Sequence, residues 1–518
     1  MADRQKIKLP PGMFRNGTEY EAAGRWFDGN LVRWQNGRLK PIGGYQAFVA
    51  AGANLTGVAR GGIAFTDNLG FPYLLIGTNS NLYIGEGGVF TDVTPPGFVG
   101  GRVDSILGAG YGAGLYGQET YGTARTLNTI QLNATTWSFD SFGNTVVMVQ
   151  NTDQNLYQFD PTTGLVTIPA GSPKCVAVMS TNEDFLLAIG AGGDARQVQW
   201  PDIGTSTDWT PTDINAAGAI DVNTAGRLLG GARVGLQNLL WTNIDAHLLN
   251  FVGGQGIYAP IRIGTACGLV GPKAFAIAAS GAGAGETAYW MAAGGFFAYA
   301  GTVVPLPCEV QDYLWASINW IQKAKIYASV NSLFNEVIWF FPSVNSTEND
   351  SYVIYNYKDN IWYFGIQSPF LGARTTYIDR GVFEYPFAVN PTGMIFEHEV
   401  GFLANGATRV GSIFAQSGPA EIGNGDQVIY TNMLIIDGDN LGAALGHPIL
   451  TLTPEARLNP KAPIIPAAPI PIAWNAEGYT PAMFCGRQVA IRIDQIADSQ
   501  FAWELGTLRV LMAGGSKR

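Results

Sequence analysis

Three histidines (His247, His398 and His447) and four cysteines (Cys175, Cys267, Cys308 and Cys485) supply all the imidazole and thiol chemistry in this sequence. A zinc site or an activated nucleophile needs several such groups converging. The cysteines are widely separated with no Cys-x-x-Cys, so buried free thiols and a chain made in a reducing cytosol are expected. Glu397-His398-Glu399 is the one dense cluster. On a strand alternate residues face opposite ways, which puts the two carboxylates on one side and His398 on the other. Val400-Gly401-Phe402 follows without the second His of a zinc-protease helix, so a structural strand end is predicted. Gly281-Ala282-Gly283-Ala284-Gly285-Glu286 resembles a phosphate loop only in its glycines. It has no following Lys-Ser/Thr and no helix, and it reads as a hairpin tip. A glycosidase needs two carboxylates about 5–10 Å apart. Asp140, Asp160, Asp184, Asp202, Asp208, Asp213, Asp312 and Asp379 are scattered, mostly beside turns where Asp bonds its own backbone. No Gly-x-Ser-x-Gly and no Ser-x-Asp-x-Gly-x-Thr-Trp box occurs. No catalytic residue, metal ligand or cofactor contact is predicted, and the chain is expected not to be an enzyme.

The elements behind these residues follow from composition. Gly accounts for 67 of 518 residues, aromatics for 61 (13 Trp, 21 Tyr, 27 Phe), and charged residues for 14%. Disordered chains show the opposite balance. So much Gly would interrupt helices at about 1 kcal/mol each, which leaves short strands joined by Gly turns. The net charge of −10 and the lack of a Lys/Arg run exclude a tight nucleic-acid grip. An acidic wall suits a passive conduit instead, repelling phosphate over about 8–10 Å. Residues 1–8 lack the apolar core of a signal peptide, and no apolar run of about 18 residues predicts a membrane helix or lipid insertion.

One unit recurs: an apolar strand, a polar or Gly turn, and a second strand ending near an aromatic. It runs Leu74-Leu75-Ile76 to Leu82-Tyr83-Ile84, Val146-Val147-Met148-Val149 to Leu156-Tyr157-Gln158-Phe159, and Phe185-Leu186-Leu187-Ala188-Ile189 to Val198-Gln199-Trp200. Further copies are Leu239-Leu240-Trp241 to His247-Leu248-Leu249, and Tyr289-Trp290-Met291 to Phe296-Phe297-Ala298-Tyr299. The last two are Val337-Ile338-Trp339-Phe340-Phe341 to Tyr352-Val353-Ile354-Tyr355, and Phe387-Ala388-Val389 to Met394-Ile395-Phe396. Markers at Tyr83, Tyr157, Trp200, Leu249, Tyr299, Tyr355 and Phe396 are spaced 74, 43, 49, 50, 56 and 41 residues apart. All but the first interval match the ~40–50 residues of a propeller blade. The first holds a Gly/Tyr-rich insertion at 105–123, including Tyr111, Gly112, Gly114, Tyr116, Gly117, Tyr121 and Gly122. Its glycines permit close approach and its tyrosines supply low-entropy contacts, so it is expected to face a channel or a neighbouring subunit.

The fold is therefore predicted to be all-β, with three parts. Residues 1–55 form an N-terminal β-meander with tight turns at Asp28-Gly29 and Asn36-Gly37. Residues 56–404 form a β-propeller of about six to eight blades. Residues 405–518 form a C-terminal β-sandwich. Within the last, the 459–472 stretch carries Pro460, Pro463, Pro466 and Pro469 at the polyproline period, a stiff arm that is either a surface excursion or a strap to a neighbouring subunit.

Several blocks in order resemble a known family. They begin with Gly12-Met13-Phe14-Arg15-Asn16-Gly17-Thr18, Gly24-Arg25-Trp26-Phe27-Asp28-Gly29-Asn30-Leu31-Val32-Arg33-Trp34 and Ile42-Gly43-Gly44-Tyr45. Tyr111 to Gly117, Trp137 to Gly143, Thr207-Asp208-Trp209-Thr210-Pro211 and Cys267-Gly268-Leu269-Val270-Gly271-Pro272 follow. Pro305-Leu306-Pro307-Cys308-Glu309-Val310 and Gly486-Arg487-Gln488-Val489-Ala490 complete the series. Their succession resembles the nozzle (hub) proteins of short-tailed bacteriophages, the podovirus tail tubular protein B or packaged-DNA stabilisation family. That resemblance implies a virion tail component made in the bacterial cytoplasm, forming a hexameric ring below the portal and adaptor. The ring would extend the DNA channel, retain the genome and pass double-stranded DNA non-specifically, while docking fibres or spikes. It implies no catalytic residue and no cofactor. The competing readings are a host-surface glycan-binding adhesin, whose Trp and Tyr would stack on sugars, and, further off, a glycoside hydrolase.

Overall fold

The recurring hairpins are the middle strands of four-stranded antiparallel sheets, and seven such sheets form a β-propeller. The computed structural model describes residues 3–7, 9–48, 54–106, 132–279, 285–366, 372–421, 428–439, 449–459, 462–472, 479–498 and 502–514. Blades 1 to 6 occupy residues 59–92, 137–167, 177–221, 228–265, 275–306 and 327–366. Blade 7 takes three strands from 376–398, and its outer strand is Tyr45–Ala47, which pairs with Ile395–His398 from the far end of the propeller sequence. A strand from before blade 1 thus closes the circle.

Packing explains why these runs are strands. The first strands of neighbouring blades lie against one another around much of the ring, so they line the axis. The second strands are enclosed on both faces and read as unbroken apolar runs, such as Thr145–Gln150 and Glu336–Pro342. Apolar layers form between blades: Leu75, Val146 and Met148 join blades 1 and 2, and Leu187 and Leu240 join blades 3 and 4. Buried indoles tie blades together by donating to backbone carbonyls of the preceding unit. Trp137 Nε1 reaches Thr78 O at 2.7 Å, and Trp339 Nε1 reaches Ala274 O at 3.1 Å. Gly77 makes the slot for the first of these, since a Cβ there would stand 2.5 Å from the Trp137 ring.

The C-terminal unit is a sandwich of two six-stranded sheets, and the N-terminal strands complete both. One sheet contains Asp3–Ile7, Val32–Gln35, Arg38–Pro41, Ile429–Asp439, Thr480–Gly486 and Glu504–Gly514. The other contains Trp26–Asn30, Phe414–Ser417, Ala420–Glu421, Leu450–Arg457, Ile470–Ile472 and Gln488–Gln495. Trp34, Leu434 and Val510 from the first sheet share one core with Leu452, Ile491 and Ile493 from the second. Asn36-Gly37 forms the expected tight turn between Val32–Gln35 and Arg38–Pro41. Asp28-Gly29 does not turn. It lies within Trp26–Asn30, beside a bulge opposite Phe414–Ser417, and the chain crosses between sheets at Leu31, whose φ is 54°. Long-range pairing with Phe414–Ser417 overrides the local dipeptide preference.

Candidate functional site

Two constellations distinguish this molecule from a bare propeller, and the first is the joint to the sandwich. Arg33, on a sandwich strand, is buried between two carboxylates that are buried with it. Its Nη2 donates to Glu336 Oε2 at 3.1 Å and to Glu399 Oε1 at 2.5 Å, and its Nη1 donates to Glu399 Oε2 at 2.9 Å. Glu336 sits at the first turn of blade 6, and Glu399 follows the last strand taken from 376–398. Asn331 Nδ2 donates to Glu399 Oε1 at 2.9 Å, and the Tyr363 hydroxyl donates to Glu336. Burial pushes the Glu336 carboxyl up to about 7 against the opposing pull of Arg33. Gly43 N donates to Glu399 Oε2 at 3.0 Å, and a Cβ on Gly43 would come within 2.3 Å of that oxygen. Around this centre Arg25 pairs with Glu309, Met13 N donates to Trp362 O at 2.7 Å, and Asn16 Nδ2 donates to Cys308 O at 2.7 Å. An ion cluster of this kind fixes one arrangement of two units, because removing any member strands a buried charge.

The second constellation ties the connector between blades 1 and 2 to blade 6, so that it reaches across instead of passing straight to its neighbour. Ser105 N donates to Gln322 Oε1 and Gln322 Nε2 returns a bond to Ser105 O, both at 2.9 Å. Lys325 Nζ binds Asp104 Oδ1 at 2.5 Å and Glu348 Oε1 at 2.9 Å, while Arg60 from blade 1 forks onto Glu348 at 2.7 and 2.9 Å. Ile106 and Leu132, next to this cluster in the chain, exchange backbone bonds at 2.9 Å in both directions. Tyr111, Gly112, Gly114, Tyr116, Gly117, Tyr121 and Gly122 lie outside the described residues.

The other predicted positions fall as follows. Pro463, Pro466 and Pro469 are exposed along an edge of the sandwich, and Pro460 lies outside the described residues. The arm is tied down between them, with Ile465 N donating to Ala456 O at 2.7 Å and Ile470–Ile472 pairing with Leu450–Arg457. A Pro-rich edge denies an incoming strand its donors. His398 is half-buried, accepts from Arg374 Nε at 2.9 Å, and is held well below the usual imidazole range by desolvation and by Arg374. The predicted common face of Glu397 and Glu399 is not what forms. Glu397 bonds exposed Gln46 at 2.9 Å, whereas Glu399 turns into the joint with φ 65°, past the end of the strand alternation. His247 lies 3.0 Å from Asp245 Oδ1, and His447 is outside the described residues. Cys175, Cys267 and Cys308 are buried and Cys485 is half-buried, all free. Burial pushes Cys175 up to about 12 and Cys267 to about 11. Asp160 plays the expected turn role, accepting from Thr162 N at 2.9 Å, whereas Asp202 ties down a more distant segment by accepting from Ala216 N at 2.8 Å. Phe275–Ala279 and Glu286–Ala292 pair as a hairpin around the Gly281–Ala284 stretch, which is outside the described residues. The buried joint has no local signature in the sequence, because Arg33 lies 303 and 366 residues from its partners Glu336 and Glu399.

No family model matches the chain, and no curated protein matches it. Among solved structures, the chain is similar to virginiamycin B lyase from Staphylococcus aureus, at 11% identity and a TM-score of 0.40, covering 67% of this chain and 97% of that one. It is also similar to the Cps50 (Swd1) β-propeller domain of Myceliophteria thermophila, at 7% identity and a TM-score of 0.41, covering 70% and 99%. The Pan2 WD40 domain of Neurospora crassa is a further neighbour, at 10% identity and a TM-score of 0.37, covering 69% and 95%. All three are propellers.

Proposed function

We propose that this chain is a structural subunit of a short-tailed bacteriophage tail, the nozzle ring that extends the DNA channel below the portal and adaptor. In this reading it acts without catalysis, as one of a hexameric ring that retains the packaged genome and passes DNA during ejection. The observation that carries the reading is where four of the nine resembling blocks sit. Gly12 to Thr18, Gly24 to Trp34, Gly43 to Tyr45 and Cys308 to Val310 are the segments that fasten propeller to sandwich. A wedge built to resist shear needs its information there, whereas an enzyme concentrates it around a reacting centre. The Gly/Tyr insertion serves in this account as the contact to the channel or the adjoining subunit.

The adhesin reading asks for an aromatic platform. Among the described residues the exposed aromatics are Phe71 in blade 1, Phe251 in blade 4 and Tyr430 in the sandwich, and no exposed Trp accompanies them. Most of the other described rings pack into the cores of the blades and the sandwich. Two experiments separate the readings. A glycan array with the full chain should show no saturable binding, and specific capture of one host glycan would favour the adhesin. Deleting 108–122 should leave the monomer folded while abolishing ring assembly or genome retention; normal virions carrying that deletion would remove the insertion from the account.

A further inference from the structure

A cavity of about 460 Å³ opens along the propeller axis, walled by the first strands of blades 2 to 5. Its size falls within the usual range for small-molecule sites. Phe139, Phe275 and Ile277 give it apolar walls, and Asp140, Arg233 and Lys273 place three charges inside it. Glu286 stands exposed at the mouth.

The charges in this cavity are unequally satisfied. Asp140 Oδ2 accepts from Ser180 N at 2.7 Å and from Ser180 Oγ at 3.0 Å, and its Oδ1 accepts from Ser141 N at 2.8 Å. Glu286 Oε2 accepts from Gly235 N at 2.9 Å. The acids are therefore occupied by neutral donors. The cations are not: Arg233 Nη2 lies 3.7 Å from Asp140 Oδ1, beyond hydrogen-bonding distance. The Lys273 ammonium makes no hydrogen bond or ion pair among the described residues, and burial pushes it down to about 8, with only Asp140 pulling the other way. A half-buried cation with no hydrogen-bond or ion-pair partner, beside a second one, in a cavity that has room for a guest, is a site for a negative group.

We propose that the axial cavity binds a small organic anion, its phosphate or carboxylate head held between Lys273 and Arg233 and its apolar body against Phe139 and Phe275. The two cations outnumber the one enclosed carboxylate, and Glu286 is screened by solvent at the mouth. This inference stands independently of the nozzle reading, since any propeller carrying this cavity would offer the same site.

The test is calorimetric titration of the full chain with phenyl phosphate, benzoate and, as the charge-reversed control, benzylamine. Saturable binding of phenyl phosphate or benzoate, without binding of benzylamine, is expected, and which acid binds tells the two head groups apart. Lys273→Met should weaken binding at least about tenfold while leaving the melting temperature little changed, because no hydrogen bond or ion pair holds this half-buried cation in the fold. Should that variant not fold, Arg233→Gln, at a partly exposed position, serves in its place with the same expected loss. Absence of saturable binding of both acids by the natural chain, or undiminished binding by the variant, overturns the proposal.

Discussion

Blades 1 to 3 and blades 4 to 7 are built from the same four-stranded unit, yet they are held in different ways. In the first group the apolar layers are local, each joining one blade to the next. From blade 4 onward a single continuous core runs through the remaining blades and into the sandwich. The ion cluster of Arg33, Glu336 and Glu399 sits within that second half. The difference teaches that the propeller is half free ring and half foundation. Rigidity against shear comes from the foundation, while the free half carries the exposed apolar tips Leu69 and Ile214, and the axial cavity straddles the two halves with both its cations on blades 4 and 5.

The comparison can be broken most forcefully at the joint. Arg33→Met leaves two buried carboxylates without their cation, and a loss of about 3–5 kcal/mol is expected by chemical denaturation. A loss within the noise of surface substitutions would mean that the joint is not the foundation. In the free half, Gly77→Ala drives a methyl group into the Trp137 ring and should cost about 1–3 kcal/mol. That loss should appear in the protection of blades 1 and 2 by hydrogen exchange and leave blades 5 to 7 unchanged.

A smaller effect sharpens the picture through pH. The Glu336 carboxyl is raised from 4.5 to about 7 in the folded chain. Between those values the folded state keeps a proton that the unfolded state has released, so this group's contribution to stability falls as pH rises through that window. Glu336→Gln should flatten that part of the stability–pH curve, and an unchanged slope would contradict the assignment. The smallest effect is expected at Leu69, 81% exposed at a tip of blade 1. Leu69→Ser should shift stability by no more than about 0.5 kcal/mol, measured in the same denaturation series.

How much of this was legible depended on burial. The second and third strands of each blade are enclosed and apolar, so they announced all seven hairpins. First strands such as Ala59–Thr66, with Gly61 and Gly62, and exposed fourth strands such as Val89–Asp92 carry no such run and did not show as blade members. The closure of blade 7 by Tyr45–Ala47 was invisible because its partner at Ile395–His398 lies at the opposite end of the repeats. Glu399 escaped for a related reason: strand alternation predicts its face only as far as the strand runs, and its backbone leaves that geometry. Lys273 offered no pattern, being a single cation after an apolar stretch, and only the enclosure by four blades gives it a setting.

The central claim is that the fastened wedge assembles around a shared hole. Negative-stain class averages of the purified full chain, recorded across rising concentration, test it most directly. Closed rotationally symmetric rings with a stain-filled pore are the predicted outcome. Single particles without a pore at the highest concentration would contradict the account.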